Sequence, residues 1–234
     1  MKKFILMAIL AVTTLTVVAA EQKRYELDVK DFNSLKVVHS INVDYICNPD
    51  SAGMAVFTAS ADRASTLMFS NNSGSLSIQL AVEDRQLSEI PSVTVYSSTL
   101  EKIENDGDST VRALRVAPNV KFQGKVIGNG RLSIRDIRSS EVKLTLATGN
   151  GVIVANGTVS NLKINFSGTG TIQADSLQSE EVNIRAGGTG AIGCYATSKL
   201  NVYGAGSTKI YYKGSPEIKN RSIGIKTQPI SGEK

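Results

Sequence analysis

Tryptophan is absent from this chain of 234 residues, histidine occurs once and cysteine twice. Each scarcity closes off a class of chemistry. His39, Cys47 and Cys194 have no partners at metal-ligand spacing, which argues against a zinc or haem site. With one imidazole in the chain and no Ser or Cys motif beside it, a nucleophile–base pair has nothing to build on. His39 lies in a strand-like segment and reads as a solvated or half-buried strand residue. The charge balance is nearly even, with 26 Lys+Arg against 21 Asp+Glu. That is too mild for the clustered basic stripe of a nucleic-acid binder. The densest basic stretch, Lys209, Lys213, Lys219, Arg221 and Lys226, falls in the tail and reads as a solvated end. No catalytic residue, metal, cofactor or nucleic-acid partner is implied.

Long apolar runs are also scarce. The one present, Phe4 to Val18, holds 15 residues without a charge, follows Met1-Lys2-Lys3 and precedes Ala19-Ala20. A basic start, an apolar core and small residues at the cut are the layout of a secretory signal, with cleavage expected after Ala20. The run falls short of the roughly 20 residues that span a bilayer. Losing Lys2 and Lys3 leaves 24 basic against 21 acidic residues, a net charge near +3. No second apolar span follows, so the expected location is the periplasm, the cell surface or the extracellular space.

What the chain does have is a repeat. Val142-Lys143-Leu144-Thr145-Leu146 precedes Thr148-Gly149-Asn150-Gly151, and Leu162-Lys163-Ile164-Asn165-Phe166 precedes Ser167-Gly168-Thr169-Gly170. Val182-Asn183-Ile184-Arg185-Ala186 precedes Gly187-Gly188-Thr189-Gly190, and Leu200-Asn201-Val202-Tyr203 precedes Ala205-Gly206-Ser207-Thr208. Val120-Lys121-Phe122, leading to Gly128-Asn129-Gly130, reads as an earlier copy. The opening glycines stand at 128, 149, 168, 188 and 206, so the period is about 20 residues. Within each copy apolar and polar residues alternate, which puts the apolar set on one face of a strand. One such strand cannot bury that face alone, but stacked copies can. The expected fold is all-β: a single-domain right-handed parallel β-helix (β-solenoid) of about 20 residues per coil.

The inward columns should be Val142, Leu162, Val182, Leu200 and Leu144, Ile164, Ile184, Val202. Val152, Ile172, Ile192 and Ile210 should line a second strand of each coil. The glycines read as corners, because glycine reaches positive φ without steric cost. A phosphate-cradling loop needs a helix after the glycines, and no helical period follows any of them. Stacking at about 4.8 Å per layer would keep Cys47 and Cys194 beyond the roughly 7 Å reach of a disulfide, so both are expected unpaired.

Residues 21–99 are less regular, residues 100–213 form the clear coils, and residues 214–234 lose the marker and read as a cap and tail. Strand-like segments fall at Arg24–Val29, Leu35–His39, Ile41–Ile46, Ala55–Ala59, Leu76–Leu80 and Ser92–Tyr96. Asn71-Asn72-Ser73-Gly74 is a turn signal. Ala61 to Phe69 is either a short helix or a bend, with Leu67 and Phe69 buried.

Phe32-Asn33-Ser34-Leu35-Lys36-Val37-Val38 and Ile41-Asn42-Val43-Asp44-Tyr45-Ile46 resemble the opening of a family of exported bacterial proteins, the "putative auto-transporter adhesin, head GIN domain" family. Val93-Thr94-Val95-Tyr96, Leu100-Glu101-Lys102-Ile103, Gly107-Asp108-Ser109-Thr110-Val111 and the close at Ile210-Tyr211-Tyr212-Lys213-Gly214-Ser215-Pro216 continue the likeness in order. It covers roughly Tyr25 to Gly224. The resemblance implies a parallel β-helix, export and a surface or adhesion role, and supplies no catalytic residues.

Three functional classes follow. A flank carrying rows of Asn, Thr, Ser and Lys suits a repetitive ligand, so the first reading is a non-catalytic binding or adhesion protein for a glycan or cell-envelope polymer. Its candidate contacts are Tyr195, Tyr203, Tyr211 and Tyr212. The plainer role for Tyr203 and Tyr211 is outer-face packing beneath the cap. The second class is a structural or assembly subunit of the cell envelope. The third is a polysaccharide-active enzyme, which needs paired acids about 5–10 Å apart or a carboxylate cluster holding calcium. The densest acids are Glu101, Glu104, Asp106 and Asp108, and Asn105-Asp106-Gly107-Asp108 reads as a polar turn between strands.

Overall fold

The alternating apolar residues build one continuous ladder. The computed structural model describes residues 21–81 and 90–230, and the expected signal segment lies outside them. Strands β1 (Lys23–Asp28), β2 (Ser34–Val38), β3 (Val43–Cys47), β4 (Met54–Ala59), β5 (Leu67–Asn72) and β6 (Ser75–Leu80) come first. After them run β7 (Val93–Ser97), β8 (Lys102–Asp106), β9 (Thr110–Arg115) and β10 (Asn119–Ile127). The long strands β11 (Arg131–Leu146), β12 (Val152–Phe166), β13 (Thr171–Ala186) and β14 (Ala191–Ala205) make the regular coils. β15 (Lys209–Lys213), β16 (Glu217–Ile223) and β17 (Lys226–Pro229) end the described chain. All belong to one sheet wound into a parallel β-solenoid.

From β10 to β14 each coil stacks in parallel on the last. Val142, Leu162, Val182 and Leu200 are register partners and fully buried, as are Leu144, Ile164, Ile184 and Val202. Both columns lie where alternation placed them. The other arm differs by one residue. Its buried partners are Ile153, Ile172, Ile192 and Ile210, whereas Val152 pairs with Thr171 and faces outward. Each of these isoleucines stands four positions past its corner glycine, and Val152 stands three. The β10 copy is displaced by two. Phe122 pairs with Val142, and Val120 is 70% exposed.

Two short strands per coil were expected; one bent strand of 15 or 16 residues is found. The bend keeps the ladder running through a register shift between Ile134 and Ile137, where Asp136 has φ 54° and its partner coil has Gly157 at φ 128°. The Asp136 N–H donates to Asn156 Oδ1 at 2.9 Å, so the bend is pinned to the coil above. The Gly-x-Gly corners divide by cause. Gly149 has φ 72°, as a left-handed corner requires. Gly168 and Gly188 have no positive φ, and there the glycine supplies space, because coils touch backbone to backbone.

The N-terminal part joins the stack out of chain order. β2 lies between β6 and β8, and β3 between β7 and β9. The chain lays down an inner coil, adds an outer one, then returns to the other side. Antiparallel strands close this end: β4 on β7, β1 on β4 and β5 on β6. Ser73 (φ 51°) and Gly74 (φ 81°) make the two-residue β5–β6 hairpin turn that the Asn-Asn-Ser-Gly sequence signalled. Ala61–Ala64 is a single helical turn leading into β5, with Leu67 buried and Phe69 half-buried against Phe57. His39 is a corner residue rather than a strand residue. It has φ 66°, and its Nδ1 accepts the Leu80 N–H at 3.2 Å. Cys47 and Cys194 are buried and free.

The tail is a further coil. β16 continues the β14 ladder and β17 the β15 ladder. Two of its inward positions turn polar, Asn220 over Val202 and Thr227 over Ile210, while Ile218 continues the column over Leu200. Polar residues at core positions remove the reason to add another layer, and charged residues on the edge strand oppose pairing with a second sheet.

Candidate functional site

Outward positions inherit the register of the core, so like positions form rows along the stack. On the flank made by the second arm of each coil, three rows run from β10 to β16. The first is Lys121, Glu141, Asn161, Glu181, Lys199 and Glu217. The second is Gln123, Lys143, Lys163, Asn183, Asn201 and Lys219. The third is Lys125, Thr145, Asn165, Arg185, Tyr203 and Arg221. Acids are confined to the first row.

A groove of about 620 Å³ follows these rows and is lined by Lys143, Lys163, Asn165, Asn183, Arg185 and Tyr203 among others. A second hollow of about 390 Å³ shares Asn165, Arg185 and Tyr203 and is floored by Ala186, Gly187 and Gly204. Tyr203 is 38% exposed and stands in register between Arg185 and Arg221. Around it are charged donors, amides and a small-residue floor, the mixture a sugar-stacking aromatic works with.

The other three tyrosines lie elsewhere. Tyr195 and Tyr212 line a hollow of about 380 Å³ with Lys213, Pro229 and Ile230 at the tail end. Tyr211 pairs with Gly193 on the first-arm flank. The candidate set therefore does not form one surface, and Tyr203 alone belongs to the large groove. Lys143, Asn183 and Arg185, which complete that groove, were not singled out from sequence. Their signal is the polar half of the same alternation that gave the core.

The acidic stretch is organised as an ion cluster. Glu104, 5% exposed, is held at 3.3 Å by Lys36, 3.4 Å by Lys102 and 3.6 Å by Lys125. Lys36 and Lys125 come from the coils on either side, and Lys36 also reaches Asp106 at 2.9 Å. Burial alone raises the Glu104 pKa, but the ammonium groups of Lys125, Lys102 and Lys36 outweigh it and hold the carboxyl below its ordinary range. Asn105 points the opposite way, fully buried, and its Nδ2 donates to Ser109 O at 2.8 Å. Adjacent side chains thus serve opposite sides of the sheet, with Glu104 and Asp106 on one face bridged by Lys36. Among the described residues no group of three or more His, Cys, Asp or Glu is placed to hold a metal ion.

Glu104→Gln is expected to destabilise the fold by about 1–3 kcal/mol at neutral pH, since three half-exposed ammonium groups lose their common counter-ion. A depressed folded pKa contributes stability above the unfolded carboxyl range and loses it as pH falls through the folded value. The gap in Tm between wild type and variant should therefore close on acidification. A gap that stays constant down to acid pH would show that the carboxylate charge is not the stabilising element.

The sequence pattern of the family described as "putative auto-transporter adhesin, head GIN domain" matches residues 31–216. The fold is shared by a Bacteroides fragilis protein titled a putative adhesin, with TM-score 0.81 and 21% identity over 91% of this chain and 98% of that one. A putative adhesin from Parabacteroides distasonis aligns with TM-score 0.72 and 16% identity over 90% and 98% of the two chains. A protein from the same species titled a putative lipid binding protein aligns with TM-score 0.68 and 21% identity over 88% and 96%. None of the curated proteins matches in sequence. No helix among the described residues is long and apolar enough to cross a membrane. With the matched segment covering all but the first strand and the last coil of the stack, the chain belongs to the head GIN domain family of adhesin-like β-solenoids.

Proposed function

We propose that this protein is an exported, non-catalytic adhesin-like module that holds a glycan or cell-envelope polymer along the second-arm flank. One observation carries the reading: Tyr203 is exposed at the meeting point of two hollows, between Arg185 and Arg221. A solenoid presents the same groups coil after coil, which suits a ligand that also repeats. The apolar N-terminal segment supports export.

A glycan array followed by titration of a bound glycan tests this. Tyr203→Ala should weaken binding about tenfold, the scale of one lost aromatic contact with its burial. Tyr211→Ala and Tyr212→Ala should leave it unchanged. The opposite pattern would move the site to the tail, and absence of any glycan binding would sink the reading.

A second reading, an assembly subunit, draws on the terminal coil, where Ile218, Ile223 and Ile230 are 37%, 79% and 36% exposed. A concentration-dependent oligomer that is lost in Ile223→Lys would favour it.

A further inference from the structure

We infer that the polymer on this flank is a linear acidic polysaccharide, carrying a carboxylate on its sugars and lying along the stack axis. The inference rests on the proposed glycan-binding role and names the ligand's charge. It starts from how the flank's ions are compensated. At the β8 end, Glu104 draws in Lys36, Lys102 and Lys125. From β11 onward the second and third rows contain no acid. The first-row acids are already engaged: Glu141 with Lys163 at 2.6 Å, Glu181 with the Asn201 amide at 3.1 Å, Glu217 with Lys219 at 3.0 Å. Lys143 and Arg185 have no ion-pair partner among the described residues.

The groove holds more cation than acid. Lys143 and Lys163 are direct cross-strand partners, and with Lys121 they share a single carboxylate in the groove, Glu141, which is bonded to Lys163. Arg185 stands one coil further on in the next row, diagonal to Lys163. Successive coils are about 4.8 Å apart, so these cations lie within roughly one Debye length of about 8 Å and act as one field. A carboxylate ladder supplies the missing counter-charge, and the Arg185 guanidinium is shaped to take a carboxylate through two parallel bonds. Asn165 and Asn183 offer both donors and acceptors between the cations, as sugar hydroxyls require. Tyr203 then stacks on a ring one coil beyond Arg185. Charge, amide and aromatic follow one another along the axis, which a linear chain satisfies and a compact anion does not.

The test uses the full mature chain with three polyuronates (polygalacturonate, alginate and polyglucuronate), methyl-esterified polygalacturonate, dextran and poly(dT). Binding to at least one polyuronate is expected, falling with added salt. The methyl ester, with the same backbone and no charge, should bind at least about tenfold more weakly. The double variant Lys143→Glu, Arg185→Glu should lose at least about tenfold in polyuronate affinity while its Tm stays at or above that of wild type. Lys209→Glu, on the other flank, should bind normally. Where polygalacturonate binds, equal affinity for its methyl ester would overturn the inference, as would full polyuronate affinity in the charge-reversed variant. Equal affinity for poly(dT) would reduce the flank to a general polyanion surface. Binding of neutral glycans that depends on Tyr203 but not on Lys143 or Arg185 would sink this inference and leave the glycan-binding role standing. If no glycan of either kind binds, both fall.

Discussion

Ile184→Asp should leave the chain unfolded, or with its melting transition lowered by tens of degrees. Ile184 is fully buried, in register with Ile164 below and Val202 above. A carboxylate there has apolar side chains on both sides along the column, and among the described residues no Lys or Arg is buried in the core. Burying an ionised group without a partner costs far more than a typical substitution, so a loss of about 4 kcal/mol or more is expected. Total stabilities are on the order of 5–15 kcal/mol, so this is a large fraction of the whole. The damage does not stay local, because each coil is stabilised chiefly by its two neighbours. Asn183→Asp is the control: the same carboxylate one residue earlier, on the outward face, where Asn201 Nδ2 already donates to the side-chain oxygen. It should change stability by about 0.5 kcal/mol or less, as surface substitutions usually do. Thermal unfolding followed by circular dichroism separates the two, and an Ile184→Asp protein with wild-type Tm would refute the inward assignment.

That contrast also shows what the sequence could tell. Period two is a strong signal where one face is dry, and Val142 to Leu146, Leu162 to Phe166 and Val182 to Ala186 could be placed from alternation alone. It failed where the pattern lost its frame. Val120 and Val152 look like core residues, yet an apolar residue next to a corner can belong to either face until the register is known. Phe122 and Ile153 hold the buried positions. The bend at Asp136 was invisible for a related reason. A strand that turns without breaking its ladder carries no run of Gly or Pro, only one residue at positive φ.

The out-of-order N-terminal coils had no signal at all. That β2 lies between β6 and β8 depends on long-range pairing, and all three are strands with the same alternation. The site was half legible. The flank rows are the polar complement of the core, so their composition was plain. Which tyrosine shares them was not, since Tyr203 stands outward on the second arm whereas Tyr212 lies over buried Cys194 on the first, a difference only the register reveals. Glu104 shows the same limit: Lys36 is remote in sequence and reaches it only because β2 is inserted next to β8.

Within one glycine marker, Gly190→Ala and Gly187→Ala should have opposite outcomes. In Gly187-Gly188-Thr189-Gly190 all the glycines look alike, and none of the three has a positive φ. Their surroundings differ. A methyl group on Gly190 would fall inside contact distance of Gly170 O and stand 2.6 Å from Phe166 Cζ. Phe166 is 1% exposed and cannot swing away, and Gly170 O accepts the Ala191 N–H that joins the two coils. The coils must part at this corner or the ladder must lose that bond. Overpacking of this kind costs about 3 kcal/mol, a fall of about 10 °C in Tm for a chain of this size. A methyl group on Gly187 meets nothing within 4 Å. There alanine should be neutral or slightly stabilising, because it narrows the unfolded chain's conformations without strain in the fold. A common loss in both variants would mean that the marker serves backbone conformation. A loss at Gly190 alone would mean that it serves the closeness of the coils. The second result would dissect the motif, with Gly188 and Gly190 set by packing and Gly187 open to solvent.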